Sequence, residues 1–360
     1  MDVALFGQWL AGIALLDPAQ RGRALKELAL AEANDPEGCL TDQMAAPLAR
    51  DAVETRVPAR SGATIDAASG QNLLAKIGQN RIASFGCPHC GNDAIHAWGQ
   101  SRGKPRYRCA HCRKSFNPLT GTPLAGLHKQ GRWRDQAQAL MNGETVAKAA
   151  VRCQVDYTTA FRWRHRFLAA LNLDHPRRLQ GIVEADETFI LESFKGKRSG
   201  LPRASRKRGG KAGKRGLSAE QIPIIVARDR TGATTDAVLP RLDAASITVA
   251  LGKVIDPAAH FCCDGGTAIT AFARRAKVKL HVLPAPGIPR PEAPELHINN
   301  VNAYHGRFKE WMRRFHGVAT RNLPNYLSWR RTIEALGDAS TPEAWIKAAA
   351  GLGPYQQHSQ

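Results

Sequence analysis

The chain has 360 residues, 43% of them apolar, which is enough to bury more than one core and excludes a disordered polyelectrolyte. Its 51 lysines and arginines against 31 acids give a formal charge of +20, a field that attracts polyanions, and nucleic acid fits that field best. No later apolar run approaches the ~20 residues of a membrane span, so no membrane role is expected.

The opening MDVALFGQWLAGIALLD is apolar but starts with an acid and has no basic leader, so it is expected to be a packed helix of a cytoplasmic, nucleoid-associated protein. Residues 1–80 are expected to form a helical region of unknown role. A different chemistry starts at CPHCGNDAIHAWGQSRGKPRYRCAHC, where Cys87 and Cys90 are separated from Cys109 and Cys112 by eighteen residues. Two such thiolate pairs, each on a tight turn and linked by a hairpin, predict a zinc ribbon over 81–125. A shell of four sulfurs leaves no place for water, so the zinc would be structural. His89, His96 and His111 are the alternatives for a mixed site. The interleaved Arg102, Lys104, Arg106, Arg108, Arg113 and Lys114, with Tyr107 and Phe116, suit a phosphate-facing surface.

From ETVAKAAVRCQVDYTTAFRWRHRFLAAL the periodicity predicts two helices, Thr145 to Cys153 and Asp156 to Leu171, turning at Gln154 and Val155. This pattern predicts a helix-turn-helix within 126–175. Val146, Ala149 and Ala150 would pack inward, and Thr158, Thr159, Arg162 and Arg166 would face a DNA major groove and its phosphates.

A new domain, 176–335, is expected to begin at GIVEADETFI, a strand that carries Glu184, Asp186 and Glu187. Carboxylates on an apolar strand are costly unless something cationic compensates them, which suggests a metal site. Ten Lys or Arg and no acid follow between Lys195 and Arg215. This basic loop, 195–216, is expected to touch DNA through Arg206, Lys207, Arg208, Lys211, Lys214 and Arg215. IPIIVARD and ATTDAVLP read as a hairpin and ASITVALGKVI as a helix. AHFCCD reads as a strand ending on Asp264, just before a Gly-Gly turn and the helix TAITAFARRA. Two strands bearing aspartates are what a two-metal phosphoryl-transfer site needs, because magnesium takes oxygen ligands held on a rigid scaffold. The helix in HINNVNAYHGRFKEWMRRF would bring further polar groups, and Asn299, Asn302, Lys309 and Arg313 lie along one of its stripes. Residues 336–360 are expected to be a C-terminal tail.

The order of YRCAHCRKSF and TGTPL, VEADETFI, RKRGGKAGKRGLS, FCCDGG and HINNVNAYHGRFKEW resembles bacterial insertion-sequence transposases of the zinc-ribbon, Asp-Asp-Asn branch, over about residues 85–335. That resemblance implies an α/β fold: a ribonuclease H-like mixed sheet flanked by helices, preceded by the ribbon and the helix-turn-helix. It places the triad on Asp186, Asp264 and Asn302, with Lys309 as the following lysine, Mg2+ or Mn2+ as catalytic ion, and Arg313 against DNA. It further implies that the chain binds terminal inverted repeats and target DNA, as a homo-oligomer, and catalyses strand cleavage and strand transfer.

Asparagine brings no charge, so Glu295 and Glu310 stand as alternative third ligands. His297 and Glu184 are expected around the ligands, and Glu187 is expected to point away, toward a basic partner. A zinc-ribbon DNA-binding regulator without catalysis and a branched-DNA endonuclease with the same triad are the competing readings.

Overall fold

The computed structural model describes residues 67–355, apart from 198, 205, 207–209, 215–217 and 284–292. The expected helix at the start of the chain, most of the region 1–80, and Lys207, Arg208 and Arg215 lie outside the described residues.

Helix α1 (Ala67–Phe85) leads into a three-stranded antiparallel sheet of β1 (Ile95–Ser101), β2 (Lys104–Cys109) and β3 (Ser115–Phe116). Three helices follow: α2 (Trp133–Met141), α3 (Val146–Cys153) and α4 (Tyr157–Ala169). Local chemistry sets the ends of the last two. The Thr145 hydroxyl accepts from Lys148 N to cap α3, Gln154 closes it in the left-handed region at φ 52°, and Asp156 in an extended conformation opens α4.

The second sheet is mixed, with strand order β6-β5-β4-β7-β8. Its strands are β4 (Ile182–Leu191), β5 (Gln221–Asp229), β6 (Thr234–Val238), β7 (His260–Cys263) and β8 (Lys279–Val282). The pairs β4–β5 and β5–β6 are antiparallel, whereas β4–β7 and β7–β8 are parallel. Side chains alternate along a strand, and the cores divide accordingly. Ile225 and Ala227 of β5, with Val183 and Ala185 of β4, pack on α5 (Ala244–Leu251) and α6 (Thr267–Ala276). Ile224 and Val226 face α7 (Asn299–Arg313) and α8 (Leu323–Leu336). The parallel connections are the ones that need crossover helices, and α6 lies between β7 and β8 in the chain.

The core on the α7 side does not stop at the sheet. It runs on through Trp133, Trp163, Phe167 and Trp329 to Leu74 and Ile77, so residue 176 is no break in the packing. Buried Trp329 donates its Nε1 hydrogen to Leu140 O at 2.8 Å, joining α8 to α2. The expected tail is also part of this core: α9 (Pro342–Ala349), capped by Thr341, buries Trp345 and Ile346.

Candidate active site and a four-thiol cluster

Strands β4 and β7 are neighbours in the middle of the sheet, and their parallel register ends at Glu184↔Cys262. Carried two residues further, that register sets Asp186 level with Asp264, which follows the last residue of β7. Gly265 allows the sharp exit, with φ +91° and no room for a Cβ beside Val282 Cγ1 at 2.8 Å. Asp264 Oδ1 accepts from Gly266 N at 3.0 Å, which fixes its carboxylate at the start of α6.

Oxygens of Asp186, Glu187 and Asp264 lie within 4.8 Å of one another. The expectation that Glu187 turns away to a basic partner is therefore corrected. Strand alternation does put it on the other face from Asp186, but β4 runs on past its last pair with β7, and the side chain reaches round the open end toward Asp264. Among the described residues, no Lys or Arg forms an ion pair with any of the three acids. Burial, and then the charges of Asp186 and Asp264, push the Glu187 carboxyl up to about 7.

Helix α7 is held over this site by Glu184. That carboxylate is buried and accepts from Val301 N at 2.9 Å and from Asn300 Nδ2 at 2.9 Å, at the start of the helix, and it pairs with Arg230. His297 Nδ1 lies 3.3 Å from the same carboxylate, so His297 belongs to this anchor. Two turns along α7, His305 is buried, with Nδ1 3.5 Å from Asp186 Oδ2 and with Nε2 lacking a hydrogen-bond partner. Asn302 and Lys309, three before and four after His305, are exposed on the same side of α7. Glu295 and Glu310 do not join the acidic cluster, and Glu310 pairs with Arg313 at 2.7 Å.

Several residues expected on DNA are engaged elsewhere. Arg166 donates to Pro123 O and Ala125 O, tying α4 to the loop after the first sheet. Arg206 pairs with Glu220 at 2.7 Å and donates to Glu192 O at 2.5 Å. Thr158, Arg162, Lys211, Lys214 and Arg313 are exposed, and Thr159 is half-buried. Sequence reasoning passed over His305, although the spacing 302, 305, 309 along α7 was a signal that could have found it.

In the first sheet, Cys87, Cys90, Cys109 and Cys112 bring their sulfurs within 4.8 Å of one another, and no histidine among the described residues is part of the cluster. The Cys87–Cys112 and Cys90–Cys109 sulfur distances are both 3.7 Å. The backbone N–H of Cys112 draws the Cys109 thiol down to about 7. The Cys90 thiol is pushed up to about 12, because burial and its three sulfur neighbours outweigh the pull of the Asn92 backbone.

Residues 178–331, from the approach to β4 to the middle of α8, match the model of the ISXO2-like transposase domain. The chain is also 32% identical over 149 residues to an uncharacterized protein in transposable element ISH50 of Halobacterium salinarum, covering 40% of this chain and 49% of that protein. It therefore spans about half the length of this curated relative. A solved pre-cleavage Mos1 transpososome is 16% identical over 62% of this chain and 79% of that one, with a TM-score of 0.18, too small a likeness to carry an argument. All three acids of the cluster, together with α7, fall inside the segment that matches the ISXO2-like transposase domain.

Proposed function

We propose that this chain is a DNA transposase that binds the terminal inverted repeats of its element and catalyses divalent-metal-dependent strand cleavage and strand transfer. The observation that carries the reading is the meeting of Asp186, Glu187 and Asp264 within the transposase-domain segment, without a Lys or Arg ion pair among the described residues, in a chain of formal charge +20. The sheet order, with Asp186 on the central strand and Asp264 at the end of its parallel neighbour, supports a ribonuclease H-like reading of this domain.

The donor set fits Mg2+ or Mn2+. Carboxylate oxygens, with the amide oxygen of Asn302 on α7, are the hard ligands these ions take. When bound, such ions supply an activated water and neutralise charge on the leaving 3′ oxygen. The chain's own part is position. Asp186 lies on one of two hydrogen-bonded strands and Asp264 just after the other, Glu184 fixes the start of α7, and α7 would bring Asn302 to the ions and Lys309 to a phosphate of the bound DNA. Both steps are in-line displacements at phosphorus: water first displaces the 3′ oxygen, and the 3′-hydroxyl so freed then attacks a phosphorus of the target strand and displaces that strand's own 3′ oxygen. No covalent intermediate with the protein is required.

The four thiols would hold one structural zinc. Zn–S bonds of about 2.3 Å set the edge of a tetrahedron at ~3.8 Å, and the two sulfur distances of 3.7 Å agree with it. With α3 and α4 as a helix-turn-helix, Thr158, Thr159 and Arg162 would meet the terminal repeats, while Lys211, Lys214 and Arg313 would meet phosphates. The working form is a homo-oligomer on DNA in the cytoplasm, associated with the nucleoid.

Incubating the protein with pre-cut element ends, a target plasmid and Mg2+ or Mn2+ tests the reading. The wild type joins the two, and D186N and D264N bind the ends normally but join them at least ~100-fold more slowly. Variants that join as fast as the wild type, or a wild type that binds ends and never cuts or joins, would overturn it; the second result would leave a DNA-binding regulator.

A further inference from the structure

We propose that Glu187 is a third carboxylate ligand of the catalytic ions and supplies the charge that an Asp-Asp-Asn set lacks. The inference rests on the metal-site reading above and deepens it. An amide oxygen can coordinate a cation but does nothing to neutralise it, so the two aspartates alone would face divalent ions with only two negative charges.

Three observations place Glu187 in the set. The first is geometric: one oxygen from each of Asp186, Glu187 and Asp264 fits within a 4.8 Å span. Opposite oxygens of an octahedral magnesium, with bonds of about 2.1 Å, are ~4.2 Å apart, so the three acids come together on the scale of one coordination shell. The second is the fate of the cations nearby. Arg230, the arginine of the β5–β6 turn, is spent on Glu184 and on Glu295 O, and no other Lys or Arg among the described residues pairs with the three acids. Like charges brought this close without a Lys or Arg partner repel one another, and a cation from solution would relieve that repulsion.

The third observation comes from α7. His305 is only 7% exposed, its Nδ1 lies 3.5 Å from Asp186 Oδ2, and its Nε2 has no hydrogen-bond partner. A metal-binding carboxylate commonly has a polar group behind one oxygen, which leaves the other for the ion. His305 would stand so behind Asp186, whose other oxygen would then join those of Glu187 and Asp264. Glu187 would touch the ions themselves, whereas His305 would be a positioning residue.

The test uses the full chain without DNA and reads Mn2+ binding by calorimetry and thermal unfolding with and without Mn2+. E187Q keeps the shape of the side chain and removes its charge. We expect it to bind Mn2+ at least tenfold more weakly and to lose most of the Mn2+-induced rise in Tm, while its metal-free Tm stays level or rises as repulsion among the acids is relieved. E187D restores the charge and should recover part of the affinity.

Binding by E187Q within twofold of the wild type would overturn the inference. So would an E187D no better than E187Q, since the loss would then belong to packing. D186N separates this failure from that of the underlying reading: if D186N loses Mn2+ and E187Q does not, Glu187 alone is wrongly assigned. If the wild type binds no Mn2+, or D186N binds it as well as the wild type does, the metal site itself is refuted.

Discussion

Glu184 is 1% exposed and spends its carboxylate on Val301 N, Asn300 Nδ2 and Arg230, whereas Asp186, two residues on, has His305 as its one ion-pair partner among the described residues. A carboxylate at the start of a helix satisfies N–H groups that would otherwise be orphaned and meets the positive end of the helix dipole. Its removal also leaves Arg230 uncompensated. E184A should therefore lower the stability of the fold by about 3 kcal/mol in urea denaturation. D186N should leave the stability unchanged or raise it, because it relieves the Asp186–Glu187–Asp264 repulsion. An E184A as stable as the wild type would remove the anchoring role. The sequence marks Asp186 by its place on an apolar strand and Asp264 by its place just after one, before a Gly-Gly turn. Glu187 was not legible there, because strict alternation sent it to the far face and nothing local revealed that β7 stops short beside it. His305 was marked in the sequence only by its spacing from Asn302 and Lys309 along α7.

At the scale of elements, α3 and α4 fall within two residues of their expected ends, since Thr145, Gln154 and Asp156 mark those ends in the sequence itself. Strand β8 and helix α9 were missed for different reasons. KLHV offers four residues of alternation and no turn signal, while PEAWIKAA has a Thr cap and an early Pro but no long apolar period, and its burial is decided by tertiary packing on α2. The first sheet shows the opposite balance. Among the described residues its own core holds Cys87, Cys109 and Phe116 as buried residues, too little apolar area for independent stability, so the proposed zinc would have to hold it. Stripping the metal with a strong chelator should open residues 87–116 to protease while the β4–β8 sheet, which has cores on both faces, stays protected. One zinc per chain should be released. Undiminished protection of 87–116 after chelation, or cleavage that spreads at once into the second sheet, would contradict this.

Across the whole molecule, the excess of basic residues overstates the surface free for a polyanion. Arg203 and Arg206 turn inward to Glu192 and Glu220, and Lys195 Nζ donates to Gly317 O at 3.0 Å, so part of the basic tract braces the end of α7. The acids show the complementary asymmetry. Most of those with a stated partner have an arginine, and the three that meet at β4 and β7 do not. Their convergence is a property of the fold, because strands far apart in the chain must pair and α7 must be pinned across them before any site exists. Crystals of the protein soaked in Mn2+, with data collected at the manganese edge, test that convergence most directly. The account predicts an anomalous peak bounded by Asp186, Glu187 and Asp264, with the Asn302 side chain facing it. Manganese bound elsewhere, with no peak among these carboxylates, would contradict it.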